Sequence, residues 1–337
     1  MEYTLADLKP YIRGLYWFGR QDNELTRFPT SAFPRLRPEV AYLATNPAGG
    51  RICFRAKTSG IGIELNYPPT RIYEKFSRCG QFGLDLYVDG EFYYTFIPPR
   101  EGYFINFVRI DPHVEHEFTL YLPTYAQVKV LSLEVEGGEI KPPTPFRVPK
   151  PIVFYGSSIT QGAYASRPGL AYPSIIGRRL NADIINLGFS GNGKGEPEVA
   201  ELIAQIDASC FVMDWGANLM SPEEEGLIEQ RYRPFLRKLK EKHPYTPILL
   251  VGTQWLDPMP WEPRSQYFIG KIQAEIKAAF EEELRAGNKL IDYIDGRSFI
   301  QPKDADLTVD RAHVTDLGFF RYTEALVPRL RKLLKID

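Results

Sequence analysis

Residues 152–160 of this chain are IVFYGSSIT. A β-branched and aromatic run ends there in small residues, which predicts a buried strand that turns directly into a helix. Four similar apolar runs follow, separated by helical patterns, at residues 182–188, 210–216, 247–253 and 289–295. Strands that alternate with helices predict a mostly parallel sheet with helices on both faces. Ligands bind beyond the carboxyl ends of such strands, so the end of each run is a candidate for function.

The first ~140 residues have a different pattern of short, alternating apolar runs bounded by glycine and proline. This pattern predicts antiparallel strands in a β-sandwich. Asp89-Gly90 separates two of the runs and predicts a tight hairpin. A proline-rich stretch at residues 137–151 then interrupts every pattern and is typical of a linker. We therefore expect two domains, a sandwich at residues 1–147 and a three-layer α/β domain at 148–337.

Composition limits the partners and the compartment. The 337 residues include 41 Lys+Arg and 42 Asp+Glu, so the net charge is −1, and nothing favours nucleic acid as a partner. No apolar run reaches the ~20 residues that cross a bilayer, and the first residues lack a secretory leader, which predicts a cytoplasmic protein without a membrane partner. Cys53, Cys79 and Cys210 are too scattered for disulfides or a zinc site and are expected to be buried thiols. The oligomeric state stays open.

Candidate catalytic side chains follow the strands of the α/β half. Ser158 stands on the first strand-to-helix turn, as a nucleophile or as part of the turn itself. Asp310 and His313 are three residues apart, so the carboxylate can orient one imidazole nitrogen while the other acts as a base. Gly191 and Asn218 follow the second and third strands, where a backbone N–H and a side-chain amide can stabilise an oxyanion.

Together these motifs resemble those of the SGNH (GDSL-like) hydrolase superfamily. The matches are Ser158 in GSSIT, Gly191 in NLGFSG, Asn218 in GANL, and Asp310 with His313 in DRAH. Residues 83–87, GLDLY, are also similar to the GxDLY pattern of a domain that precedes some of these esterases. The resemblance therefore covers both halves, with a jelly-roll-like sandwich before a flavodoxin-like α/β domain.

The resemblance implies a serine esterase for short acyl esters, with acetyl groups on a carbohydrate as the first expectation for its substrate. Ser158 would be the nucleophile, His313 the base and Asp310 its partner. The backbone N–H groups of Ser158 and Gly191 and the Asn218 amide would form the oxyanion hole. No metal or organic cofactor is implied. Two family aspartates are replaced, by Ser157 and Leu219, which predicts altered substrate fit or loop anchoring.

Other enzyme classes fit the sequence less well. Residues 188–195, GFSGNGKG, approach a phosphate-binding loop, but Gly195 stands where a hydroxyl would bind magnesium. Asp214 and Asp257 are candidate carboxylates for a glycosidase. The Asp-x-x-His motif supplies only two metal ligands, too few for a metal site.

Two further alternatives concern the function and the ligand. The chain could be a carbohydrate-binding protein with an inactive hydrolase-like domain, or an esterase or thioesterase for acyl substrates other than carbohydrates. Three tryptophans lie at or beyond strand ends, and each fits either substrate contact or core packing. They are Trp215, Trp255 and Trp261.

Overall fold

The computed structural model describes residues 1–254 and 263–337. Its N-terminal part is built from antiparallel strands. They are β1 (Glu2–Thr4), β2 (Ile12–Arg13), β3 (Arg51–Lys57), β4 (Gly60–Tyr67), β5 (Leu84–Val88), β6 (Glu91–Phe96), β7 (Gly102–Arg109), β8 (Glu115–Tyr121) and β9 (Lys129–Glu136), with the short helices α1 (Pro38–Ala44) and α2 (Arg78–Phe82). The strands form two sheets, in the orders β1-β9-β4-β7 and β2-β3-β8-β5-β6. Side chains of both sheets share one buried apolar cluster, which confirms the predicted sandwich.

The hairpin between β5 and β6 is also as predicted. Asp89 and Gly90 both have positive φ, 52° and 84°. A two-residue turn of this kind needs left-handed backbone at both positions, and its twist matches that of the paired strands.

The C-terminal part is a parallel sheet between helices. Its strands are β10 (Val148–Gly156), β11 (Ala182–Gly188), β12 (Cys210–Asp214), β13 (Ile248–Val251) and β14 (Ile291–Ile294), and its helices are α3 (Ser158–Gln161), α4 (Tyr172–Leu180), α5 (Pro197–Ile203), α6 (Leu227–Lys242), α7 (Pro263–Arg285) and α8 (Asp316–Leu334). All four strand pairs are parallel, in the order β11-β10-β12-β13-β14. This is the predicted flavodoxin-like order. Because β10 lies between β11 and β12, its carboxyl end is at the topological switch point.

One face of this sheet is covered partly by the N-terminal part of the chain. Trp17, Phe28 and Leu43 belong to the same buried cluster as Val153 and Phe211 of the parallel sheet. Residues 17–44 therefore complete a core that the α/β part does not close alone. The other face has a separate cluster, to which α4 and α8 contribute.

Two further predictions concern membrane-spanning helices and the three cysteines. Among the described residues, no helix is long and apolar enough to cross a membrane. Cys53 and Cys210 are buried free thiols as expected, whereas Cys79 is half-buried.

Candidate active site

Ser158 is the first residue of α3, directly beyond the end of β10. The hydroxyl of Ser157 caps this helix by accepting from the Ile159 N–H at 3.3 Å. Gly156 is required before them, because a Cβ there would lie 1.9 Å from Thr160 Oγ1. The turn is thus tight enough to present the Ser158 side chain at the switch point.

His313 lies just before α8, far from Ser158 in sequence, and its side chain contacts the Ser158 hydroxyl. Its Nε2 lies 2.9 Å from Ser158 Oγ, and its Nδ1 lies 2.9 Å from Asp310 Oδ2. Asp310 Oδ1 also accepts from the backbone N–H groups of His313 at 2.8 Å and Ala312 at 3.1 Å. Partial burial acts to raise the pKa of Asp310, but these hydrogen bonds and the imidazole hold it below its usual value. The structure therefore brings together the three predicted side chains with an ionised Asp310.

The loop that carries His313 is supported from beneath. Gln254 Nε2 donates to the Ala312 carbonyl at 2.5 Å. The Tyr322 hydroxyl of α8 in turn donates to Gln254 Oε1. Gln254 and Tyr322 are both buried, so these hydrogen bonds anchor the loop to the interior of the domain.

The predicted oxyanion donors lie beyond the ends of three neighbouring strands, β10, β11 and β12. Within the part of the chain that the structure describes, the backbone N–H groups of Ser158 and Gly191 make no hydrogen bond. Gly191 has a φ of +66°, which explains the glycine. Asn218, in a 3-10 turn after β12, donates from Nδ2 to the carbonyls of Phe189 and Gly193, each at 3.2 Å. In this state Asn218 anchors the loop around Gly191.

A side chain of the N-terminal part holds the same loop, residues 189–196, which we call the Gly191 loop. Arg37 donates to Asn192 Oδ1 and to the Asn192 carbonyl, both at 2.8 Å. It also pairs with Glu196 at 2.5 Å. Sequence reasoning missed this clamp, because Arg37 precedes the loop by more than a hundred residues and belongs to no motif.

A row of aromatic rings runs from the sandwich to His313, and sequence reasoning missed it too. Tyr73 stacks on Phe76, with ring centroids 5.1 Å apart. Phe76 contacts Tyr125 and Tyr164, both with centroids 4.8 Å apart, and Tyr164 lies 5.1 Å from the His313 ring. The Tyr125 hydroxyl donates to the Ser158 carbonyl at 3.2 Å. The N-terminal part thus contacts both the nucleophile turn and the surroundings of His313.

The GLDLY motif also joins the two parts of the chain. Asp85 is fully buried and accepts from the Arg167 guanidinium and the Gly169 N–H, each at 2.8 Å. The same guanidinium donates to the Tyr87 hydroxyl at 2.7 Å. Burial raises the pKa of Asp85, although the charge of Arg167 opposes the shift. The motif therefore fixes the segment that follows the nucleophile helix.

Asp214, a candidate carboxylate for a glycosidase, lies beneath the nucleophile turn. Its Oδ2 accepts from Tyr172 at 3.0 Å and Thr160 at 3.3 Å. Burial raises its pKa to about 7, against the effect of these two hydroxyls. Asp257, the other candidate, lies outside the described residues. Among the described residues, no group of three or more His, Cys, Asp or Glu side chains is placed to hold a metal ion.

Trp215, for which the sequence left substrate contact and core packing open, is a core residue. Only 1% of this residue is exposed, and its ring stacks on Tyr232 with centroids 5.1 Å apart. It also closes the space beside Gly195, where a Cβ would lie 2.2 Å from the indole. Trp215 therefore packs the core beneath the Gly191 loop. Trp255 and Trp261 lie outside the described residues.

Comparison with known families matches both parts of the chain. Residues 149–331 match the GDSL-like lipase/acylhydrolase family. Residues 2–140 match the family described as the N-terminus of SGNH-hydrolase-type esterases, GxDLY. A search of curated proteins found no match.

Solved structures resemble the whole chain. A candidate GDSL-like lipase from Bacteroides ovatus is 34% identical, with a TM-score of 0.87, over 100% of this chain and 98% of that one. A salicylyl-acyltransferase from a tetracycline biosynthetic pathway is 20% identical, with a TM-score of 0.82, over 99% and 97%. A family two carbohydrate esterase from Clostridium thermocellum, in complex with cellohexaose, is 14% identical, with a TM-score of 0.63, over 86% and 96%. The last two similarities concern the fold alone.

Proposed function

Because the chain belongs to the GDSL-like lipase/acylhydrolase family, we propose that it hydrolyses short-chain acyl esters with Ser158, His313 and Asp310. The observation that carries the proposal is the continuous pair of contacts from Ser158 Oγ to His313 Nε2 and from His313 Nδ1 to Asp310, each 2.9 Å long. A serine hydroxyl is a weak nucleophile at its own pKa, so it needs this adjacent base.

In the acylation step, Ser158 Oγ forms a bond to the ester carbonyl carbon while its proton passes to His313 Nε2. Asp310 accepts from Nδ1, which fixes the tautomer and stabilises the imidazolium. The carbon–oxygen bond to the alcohol then breaks, and the imidazolium returns the proton to the departing alcohol oxygen. An acyl-serine and a free alcohol remain.

The negative charge on the tetrahedral oxygen requires donors that are in place beforehand. We assign the backbone N–H groups of Ser158 and Gly191 to this role, with the Asn218 amide as a third donor once its Nδ2 leaves the carbonyl of Phe189 or Gly193. The first two N–H groups have no competing acceptor among the described residues. Water then attacks the acyl carbon and gives its proton to His313, which passes it to the departing Ser158 oxygen and frees the acid.

For the natural substrate we propose acetyl groups on a carbohydrate. The support is the family assignment together with a fold shared with a carbohydrate esterase. An esterase or thioesterase for other acyl groups would use the same residues, so acyl length and alcohol have to be measured separately.

The test is hydrolysis of p-nitrophenyl acetate, butyrate and octanoate by the wild type and by Ser158→Ala. We expect the acetate to be the best substrate and the variant to lose turnover. Ser166→Ala is the matched control, since this serine is exposed and its hydroxyl makes no contact with the three residues. A folded Ser158→Ala variant that keeps wild-type turnover would remove Ser158 as the nucleophile. A wild type without turnover of any ester would favour the binding protein with an inactive hydrolase domain.

A further inference from the structure

The aromatic row beside His313 has exposed surface that the proposed chemistry does not use. Tyr73, Phe76 and Tyr164 are each half-buried, so part of each ring faces solvent. Tyr125 is the buried ring behind them, and it contacts both Tyr73 and Phe76 edge-on. The three outer rings thus form a supported apolar surface, which we call the aromatic wall.

The aromatic wall lies on the side of the site where the alcohol half of an ester would bind. During acylation His313 Nε2 gives its proton to the departing alcohol oxygen, so the alcohol lies on the His313 side of Ser158. Tyr164 contacts the His313 ring, and Phe76 contacts Tyr164 from the outer side. Of the oxyanion donors, the Gly191 N–H and the Asn218 amide lie beyond the ends of two other strands, β11 and β12. The wall therefore borders the alcohol and not the oxyanion.

The backbone of Tyr164 adopts an energetically unfavourable conformation, which indicates that the rest of the fold holds this residue in place. Its φ of +65° lies in the left-handed region, which a bulky side chain rarely adopts. This conformation places the ring between His313 and Phe76, and the hydroxyl lies 3.4 Å from Asp310 Oδ2.

We propose that the aromatic wall is a subsite for the alcohol half of the substrate and that this alcohol carries a six-membered ring with an apolar face. Aromatic side chains bind such faces by stacking, whether the ring is a pyranose or an aryl group. The subsite rests on the proposed esterase function. It assigns to the sandwich a direct part in substrate selection, through Tyr73 and Phe76.

The test compares three acetates of primary alcohols, so that the acyl group and leaving-group chemistry stay similar while the ring changes. They are ethyl acetate, benzyl acetate and methyl 6-O-acetyl-glucopyranoside, and acetate release gives kcat/KM for each. The test variant is Phe76→Ala. The matched control is Tyr103→Ala, which truncates a ring that is 55% exposed on β7.

We expect Phe76→Ala to lower kcat/KM for at least one ring-bearing acetate by roughly five- to twenty-fold, the effect of losing one aromatic stacking partner. Ethyl acetate should change by less than about two-fold. Loss with the glucoside alone identifies a sugar, loss with benzyl acetate alone identifies an aryl alcohol, and loss with both identifies ring shape. Tyr164→Phe keeps the ring and should retain the preference.

An equal loss for all three acetates, or no loss, overturns the subsite. Thermal unfolding of Phe76→Ala separates lost packing from lost binding, because a fraction of unfolded protein lowers all three rates alike. The esterase proposal has its own readout in the same assay. Ethyl acetate turnover that depends on Ser158 supports it whatever the result for Phe76, whereas a wild type that releases no acetate from any ester overturns both proposals.

Discussion

Replacing Asp214 with asparagine is expected to remove a pH-dependent loss of stability. Burial raises the pKa of this carboxyl group from 3.8 to about 7, although the hydroxyls of Tyr172 and Thr160 oppose the shift. Because the folded-state pKa lies above the unfolded-state value, the folded chain binds more protons than the unfolded chain between the two values. The contribution of Asp214 to the free energy of unfolding is thus fully present below pH 3.8 and is lost as the pH rises to about 7.

The magnitude follows from the size of the shift. A difference of about 3 pKa units corresponds to a ceiling of about 4 kcal/mol, since each unit is worth ~1.4 kcal/mol. Between roughly pH 5 and pH 7, about 2 kcal/mol of this is accessible to a titration. Asparagine does not titrate, and its carbonyl oxygen can still accept from Tyr172 and Thr160.

The assay is urea unfolding of the wild type and Asp214→Asn at several pH values from about 5 to 8. The difference between the two free energies of unfolding isolates Asp214, because carboxyl groups with lowered pKa, such as Asp310, affect both proteins alike. Tyr172→Phe keeps the ring but removes a hydroxyl that stabilises the charged form of Asp214. The free energy of unfolding of this variant should therefore continue to decline up to a higher pH. Parallel curves for the wild type and Asp214→Asn would contradict a raised pKa of Asp214 in the folded chain.

Three further predictions concern the groups around the site. Asn218→Ala should lower kcat for p-nitrophenyl acetate by roughly 10²–10³, and an unchanged rate would exclude its amide from the oxyanion hole. Arg37→Ala should lower kcat by roughly ten-fold at similar KM, because the Gly191 loop loses its preorganisation. Arg37→Lys should recover part of this loss of kcat. A change confined to KM would contradict the role of Arg37 in holding the loop. Arg167→Ala removes the guanidinium that pairs with the buried Asp85 and should lower the free energy of unfolding by about 3–5 kcal/mol. Urea titration measures this loss. A loss below about 1 kcal/mol would contradict a buried ion pair.

Local patterns were enough to predict the fold class and the residues that meet at the switch point. A buried parallel strand has a continuous apolar run, and its end is marked by small or polar residues. Because the carboxyl ends of such strands gather at one edge, motifs far apart in sequence converge there. Ser158 and His313, which are 155 positions apart, are hydrogen-bonded for this reason.

The features that the sequence did not predict depend on contacts between distant segments. Tyr73 and Phe76 lie in an irregular stretch between β4 and α2, where no periodic pattern marks a face. Trp215 stands at a strand end, and its position alone does not tell whether a helix covers that side. In the folded chain α6 covers it, through Tyr232. Arg37 gives no signal either, because its partners belong to another loop.

The shared core has a consequence for how this protein can be produced and inherited. Trp17, Phe28 and Leu43 seal an apolar face of the parallel sheet. If residues 148–337 were expressed alone, that face would meet water and favour aggregation. Exchange of the sandwich between related enzymes would be tolerated only when the new segment reproduces this seal. We therefore expect the two parts to be inherited together, even though each has its own sheet topology.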